Sequence, residues 1–251
     1  MAFSRLGALM GLASLAAPEL YVGVVIQPFT LLTPSPITYL APLFGLLMGM
    51  SVGIAGAPAG VKAFGEERSI YFREAAAGHS RGAYFLGKTL SMLYRLTVAA
   101  LHFCCLFHAI SAPRIAFNDL MIIIWTLFIA VYGLASCVSM VVPREDAPLL
   151  AVVASLFAAV LCGYGPTLNM FRDWHLEWFL EMCYARWTNE ALFTKLVSPF
   201  GNVYDTQNAA DVYGYQLDRF SKDIGFALVI GIVLRLIAFG LMIGGHRQQQ
   251  R

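Results

Sequence analysis

Apolar runs of membrane length, separated by short polar stretches, constrain this chain more than any other feature. An apolar segment of 18 or more residues can cross a bilayer as a helix, because a helix satisfies its own backbone N–H and C=O groups inside lipid. Six such segments can be read, at about 6–29, 37–59, 88–110, 118–141, 147–167 and 222–245. Pro18 and Glu19 interrupt the first, which reads as a kinked span or as a shorter helix preceded by an interfacial one. Only Arg5 precedes it and no clear small-residue cleavage site follows, so a cleaved signal peptide is not expected. Hydrophobic residues make up 59% of the chain and charged residues 13%, against about 25% charge in soluble domains. The expected fold class is an all-α polytopic membrane protein of six transmembrane helices, forming one domain over residues 1–251 and surrounded by membrane lipids.

The polar stretches indicate orientation. The segment 60–87 is a charged island holding Lys62, Arg68, Arg73 and Arg81, with Lys88 at its edge. Arg144 lies in the 142–146 turn and Arg247 and Arg251 in the tail, whereas 30–36 has no basic residue and 111–117 has only Arg114. Basic residues accumulate in short cytoplasmic loops. Both termini and the island are therefore expected in the cytoplasm, and the 168–221 loop outside or in a lumen. Acidic residues outnumber basic ones in that loop. A formal net charge of +2 is too small to indicate a nucleic-acid partner.

The island contains a letter-perfect phosphate-loop pattern, Gly82-Ala-Tyr-Phe-Leu-Gly87-Lys88-Thr89. A working loop needs a preceding strand and a free helix N-terminus, so that backbone N–H groups converge on the phosphates. Here Tyr84, Phe85 and Leu86 are bulky, and Arg73-Glu-Ala-Ala-Ala77 upstream reads as helix. The expected structure is a helix running into a span, with Lys88 at the water boundary. No H-E-x-x-H and no group of acids on adjacent spans appears, so an intramembrane enzyme is the weaker class.

Gly45, Gly49 and Gly53 recur every four residues in the second span, followed by Ala57, and place a smooth stripe on one helix face. Such stripes let helices approach closely in lipid, either within one bundle or at a subunit interface. Arg95 lies two turns from the cytoplasmic edge and suits snorkelling; Arg235, near mid-span, suits an interior salt bridge or a polar path. His102 and His108 share no helix face well and read as packed or hydrogen-bonded residues. The five cysteines show no metal spacing and no disulfide framework. The run Asp173–Trp187, holding three of the four tryptophans, predicts an amphipathic helix with an aromatic face at the membrane boundary. Gly163, Gly165 and Pro166 break the chain just before it, as in a re-entrant element.

From about residue 37 to the end, these strings resemble the transmembrane half of white-type transporters, the G subfamily of ABC exporters, and within it the plant branch. The resemblance rests on Arg73-Glu74, Gly78 and Tyr84-Phe-Leu-Gly-Lys88, on Cys183-Tyr-Ala-Arg-Trp187 with Glu190-Ala-Leu192, and on Gly231–Phe239 with Arg235. It implies that 65–81 is a coupling helix seated on a nucleotide-binding domain, with Arg73, Glu74 and Gly78 transmitting closure. It also implies a cytoplasmic coupling helix and an external re-entrant helix before the last span. Spans two and five would line a substrate path at a dimer axis, near Ser51, Val52, Ala55 and Tyr164. Tyr164 lies in Cys162-Gly-Tyr-Gly-Pro166, where some members carry a Leu-rich gate. The loop lacks the extra cysteine pair of some members, so no loop disulfide is expected.

Members of that family carry an ATPase domain ahead of the spans, and this chain shows none. ATP and Mg²⁺ would belong to a partner nucleotide-binding domain, with no cofactor in this chain. The leading expectation is the permease part of an ATP-driven exporter of lipid-like or amphipathic substrates, working as a homo- or heterodimer. The alternative from another class is a non-transporting membrane scaffold, or a truncated remnant that only dimerises. A third reading, an ATP-binding enzyme using Gly82–Thr89, predicts nucleotide binding by this chain alone.

Overall fold

The computed structural model describes residues 36–65, 77–78, 80–111, 113–201 and 205–249, and no strand occurs among them. In chain order the helices are α1 Pro36–Gly65, α2 Arg81–Ser111, α3 Phe117–Val141 and α4 Ala147–Val160. Then come four short helices, α5 Leu168–Asp173, α6 Glu177–Glu181, α7 Tyr184–Val197 and α8 Thr206–Tyr213, and finally α9 Phe220–Gln249. Among the described residues four helices are long and apolar enough to cross a membrane, with spans Ala41–Phe64, Arg81–Ile110, Phe117–Val141 and Phe220–Gly244. This is an all-α polytopic membrane fold. The segment 6–29, read as the first span, lies outside the described residues, as do Arg73 and Glu74.

Burial ranks the long helices. The apolar window of α3 is 67% buried and that of α1 61%, against 39% for α2 and 22% for α9. The first two form the centre and the last two the rim. The difference lies in which faces can be shared: α3 is apolar on all sides and packs on α1, α2, α4, α7 and α9. Its seam with α9 is tight because two glycines meet there. A Cβ built on Gly133 would sit 3.0 Å from the Gly231 carbonyl oxygen, a separation only small residues allow. On the rim, Leu86, Leu90 and Tyr94 of α2 and Val229, Ile232 and Leu236 of α9 stay exposed, as side chains facing lipid do. Pro42 and Pro58 sit inside α1 without ending it; in membrane helices, neighbouring elements take up the freed backbone groups.

Three boundaries differ from the sequence expectation. First, the charged island is shorter than 60–87, because α1 continues to Gly65 and α2 begins at Arg81. Second, the fifth span is not a helix over 147–167. α4 has 14 residues, about 21 Å of helix, where the hydrocarbon core needs about 30 Å. Beyond Leu161 the chain turns through Gly163, at φ +88°, and closes an isolated bridge between Tyr164 and Thr167. Third, Asp173–Trp187 is not one amphipathic helix. It breaks at His175, whose φ is +56°, into the end of α5, then α6 and the first turn of α7. Trp174 and Trp178 are exposed, but Trp187 is buried. The boundary-facing aromatics and the buried ones thus belong to different helices.

The loop 168–221 has a core of its own. Leu168, Phe171, Leu180, Phe193, Val197, Ala210, Tyr213 and Tyr215 pack together at one end of the bundle. Thr167 caps α5 by accepting the Met170 N–H, and Asp205 caps α8 by accepting the Asn208 N–H.

Candidate functional site

α7 is the element on which the bundle converges. Thirteen of its fourteen residues are buried, and it packs on α1, α3, α4, α6 and α9. A helix outside the four spans yet buried all round lets each side chain report on a neighbour.

One face meets α1 and the turn after α4. Asn189 donates from Nδ2 to the Tyr215 hydroxyl at 3.0 Å and to the Cys162 carbonyl at 3.4 Å, and the Tyr215 hydroxyl donates to that same carbonyl at 3.0 Å. The triangle ties α7 to the turn after α4 and to the second residue past α8. Gly163, next in the chain, leaves room for it: a Cβ there would lie 3.1 Å from the Tyr215 hydroxyl and 2.6 Å from Leu168 Cδ1. Burial pushes the Tyr215 hydroxyl well above its ordinary value, so it stays a donor. The glycine stripe of α1 runs down this seam. A Cβ on Gly45 would overlap Asn189 Oδ1, one on Gly49 would touch Ala159 Cβ at 3.4 Å, and one on Gly53 would crowd Ser155 Oγ at 2.8 Å. The stripe therefore faces α4 and α7 of the same chain.

The other face carries charge. Arg186 Nη2 lies 3.4 Å from Glu190 Oε2, with the side chains 4% and 1% exposed. Glu190 Oε1 accepts the Gln216 N–H at 2.8 Å. The Arg186 guanidinium sits 3.7 Å over the Trp187 ring, which stacks on Phe226 of α9 at 4.5 Å. Trp187 Nε1 donates to the Glu181 carbonyl at 2.8 Å. Asp223, in the first turn of α9, is fully buried and feels both Glu190 and Arg186. Burial pushes the Glu190 carboxyl up, and Arg186 opposes it. Both Asp223 oxygens and two Arg186 nitrogens lack a hydrogen-bond partner among the described residues. Ion pairs of this kind contribute little net stability, because desolvating the charges offsets their attraction, yet losing one partner is costly. The Arg186–Glu190 pair lies within α7, and the contact that reaches α9 is the Trp187–Phe226 stack.

The expected substrate-path residues divide. Val52 and Ala55 are buried in the core of the bundle. Ser51 shares a half-exposed stripe of α1 with Leu43, Leu47, Met50 and Ile54, and its hydroxyl donates to the Leu47 carbonyl at 2.8 Å. Tyr164 is half-buried and stacks on Tyr213 at 6.1 Å. Gly78 is exposed in a turn at φ +95°, a conformation that favours glycine.

Two pattern matches prove conformationally impossible. Gly82–Thr89 lies within α2, which starts at Arg81; from Tyr84 on the backbone N–H groups are committed to helical bonds, so the segment cannot wrap a phosphate as a loop does. Gly49-Met-Ser-Val-Gly53 spells G-x-S-x-G, but it lies inside α1 with the Ser51 hydroxyl committed to its own helix, where a nucleophile needs a sharp strand-to-helix turn. Arg235 makes no interior salt bridge among the described residues; its Nη1 donates to the Gly231 carbonyl one turn earlier, at 3.4 Å. His108 packs edge-on against Phe117 at 5.6 Å. No group of metal-ligating side chains occurs among the described residues.

Asn189, Tyr215 and Asp223 stand at the junctions and were not singled out from the sequence. Asp223 had a signal, an acid in the first turn of an apolar span. Asn189 and Tyr215 had none, because their partner, the Cys162 carbonyl, is a backbone group.

A family profile described as ABC-2 type transporter matches residues 48–248, from within α1 to the last turn of α9. This chain belongs to the ABC-2 type transporter family. Over 217 residues, 86% of the chain and 29% of the relative, it is 36% identical to the ABC-type transporter claG of Penicillium crustosum. It is 25% identical over 185 residues to ABC transporter G family member 28 of Arabidopsis thaliana, covering 73% of the chain and 16% of that protein. It is likewise 25% identical over 182 residues to ABC transporter G family member 25 of Oryza sativa subsp. japonica, 72% of the chain and 17% of that protein. The chain thus spans less than a third of the length of these relatives. The resemblance to the G subfamily holds, and the chain is an integral membrane transporter domain of the ABC-2 type.

Proposed function

We propose that this ABC-2 domain is the permease unit of an ATP-driven exporter of lipid-like or amphipathic substrates. It works as a dimer by alternating access, with ATPase domains supplied outside these 251 residues. ATP and Mg²⁺ act in those domains, and both termini face the cytoplasm. The observation that carries this reading is the two-sidedness of α1. One face is locked by small residues onto α4 and α7. The other, through Leu43, Leu47, Met50 and Ile54, is half-exposed and apolar, and its one hydroxyl, that of Ser51, is turned back on the helix. A wall without charge or free donors suits an apolar or amphipathic molecule and repels a hydrophilic one. Alternating access asks for rigid helices that rock as bodies, and the α1–α4–α7 seam supplies one.

Charge reversal tests the coupling. In vesicles holding the assembled transporter, Glu74→Lys is expected to abolish ATP-driven lipid export while the protein still reaches the membrane and elutes as a folded species. Unchanged export in that variant would overturn the proposal and leave the non-transporting scaffold. Ile54→Arg on the open face of α1 is expected to lower export of an apolar reporter at least tenfold with ATPase activity retained.

A further inference from the structure

Where α7 ends and α9 begins, the chain forms a cavity of about 340 Å³ whose lining includes Lys195, Ser198, Asp218, Arg219, Ser221 and Lys222. Its charge is basic on balance, with three cations against Asp218 in the lining and Asp119 paired to Lys195. Lys195 is held in place: its Nζ lies 2.9 Å from Asp119 Oδ2 and 4.4 Å over the Phe220 ring. Arg219 spends one donor on Gln216 Oε1 at 3.0 Å and keeps others, since a guanidinium has five. Lys222 is exposed and forms no ion pair among the described residues. The hydroxyls of Ser198 and Ser221 add neutral donors.

The position of the cavity narrows the ligand. α9 runs from it directly into a lipid-facing stripe, with Phe226 45%, Val229 55%, Val233 44% and Leu236 63% exposed. Cations and hydroxyls at the head of a bare apolar helix face match a molecule with an anionic phosphate at one end and acyl chains at the other. A guanidinium and an ammonium at the end of a membrane helix give a phosphate opposite charge and several donors at once. The buried acids nearby, Glu190 and Asp223, sit against Arg186 beneath the cavity and do not line it.

We infer that this cavity is a binding site for an anionic phospholipid of the leaflet next to α5–α8. The phosphate sits among Lys195, Arg219 and Lys222, and the chains lie along Phe226, Val229 and Val233 of α9. The site is independent of the transport reading, because it rests on a side of α9 that the proposed path does not use.

The test uses the full chain in detergent and in nanodiscs. Phosphatidylglycerol, phosphatidylcholine and inorganic phosphate are titrated separately, with thermal stability and native mass spectrometry as readouts. Phosphatidylglycerol is expected to bind at least tenfold more tightly than phosphatidylcholine. The double variant Arg219→Gln/Lys222→Gln is expected to lose that preference, while Arg144→Gln, in the turn before α4, keeps it. Equal binding of the two lipids, or an unchanged preference in the double variant, would overturn the inference. Protection by inorganic phosphate alone to the same extent would also overturn it, by assigning the cavity to a free anion. Should the double variant not fold, a photoreactive phosphatidylglycerol decides on the wild-type chain: crosslinks within 194–198 or 217–229 support the site, and their absence there refutes it.

Discussion

Gly45→Ala is a one-carbon change that puts the central seam of the bundle under test. The added Cβ would overlap Asn189 Oδ1. Asn189 cannot yield freely, because its amide nitrogen is bound to Tyr215 and to the Cys162 carbonyl and its side chain is buried. Either the amide rotates and loses those bonds, at about 0.5–1.5 kcal/mol each, or α1 backs away from α7, at the typical 1–3 kcal/mol of an overpacked core. The intrinsic helix preference of Ala over Gly returns about 1 kcal/mol. The net expectation is a loss of up to about 2 kcal/mol. Gly240→Ala supplies the control: Gly240 lies in α9 with nothing within 4 Å of a built Cβ, so only the helix preference acts and the variant should be neutral or slightly more stable. Unfolding in mixed micelles by titrated SDS, followed by tryptophan fluorescence, measures both. Asn189→Ala should absorb most of the Gly45→Ala cost in a double-mutant cycle, since the clashing atom is gone. Gly45→Ala as stable as Gly240→Ala, or additive with Asn189→Ala, would refute the packing argument.

Arg186→Met should cost about 3–5 kcal/mol in the same unfolding assay, because it strands the buried Glu190 and Asp223 carboxyls without their cation. Glu190 titrates above its unfolded value, so its contribution to stability is present in full below about pH 4.5 and is lost as pH rises through the folded value; Glu190→Gln should flatten that decline when unfolding is measured across pH. Gly163→Ala should destabilise by about 2 kcal/mol or more through its left-handed backbone and its contact with Leu168, whereas Gly165→Ala, with open space around it, should change little.

Hydropathy made the long helices legible, and Phe117–Val141 falls within one residue of its expected start. It failed for α4 and the segment after it. The run from Ala147 to Thr167 carries no charge, but Gly163 and the Tyr164–Thr167 bridge turn its end back, and the absence of charge alone does not distinguish a segment crossing lipid from one folded against protein. The same limit explains α7. Its tryptophan-rich approach reads as an interfacial helix, yet Trp187 is buried on Phe226 while Trp178 stays exposed, because the break at Met182 and Cys183, between α6 and α7, sends the two to different neighbours.

By itself the sequence determined that this chain is a helical membrane protein, since the length of an apolar run and the satisfaction of its backbone are local properties; the transporter reading came from the resemblance of short strings such as Tyr84–Lys88 to a known family. The glycine stripe was equally visible, but its partner was not. A smooth helix face states that something approaches closely, and only the tertiary structure decided that it is Asn189, Ser155 and Ala159 of the same chain. It likewise decided that Glu190 and Asp223, 33 positions apart in the chain, share Arg186. The energy of a buried charge depends on what surrounds it in space, and residues distant in sequence supply those surroundings.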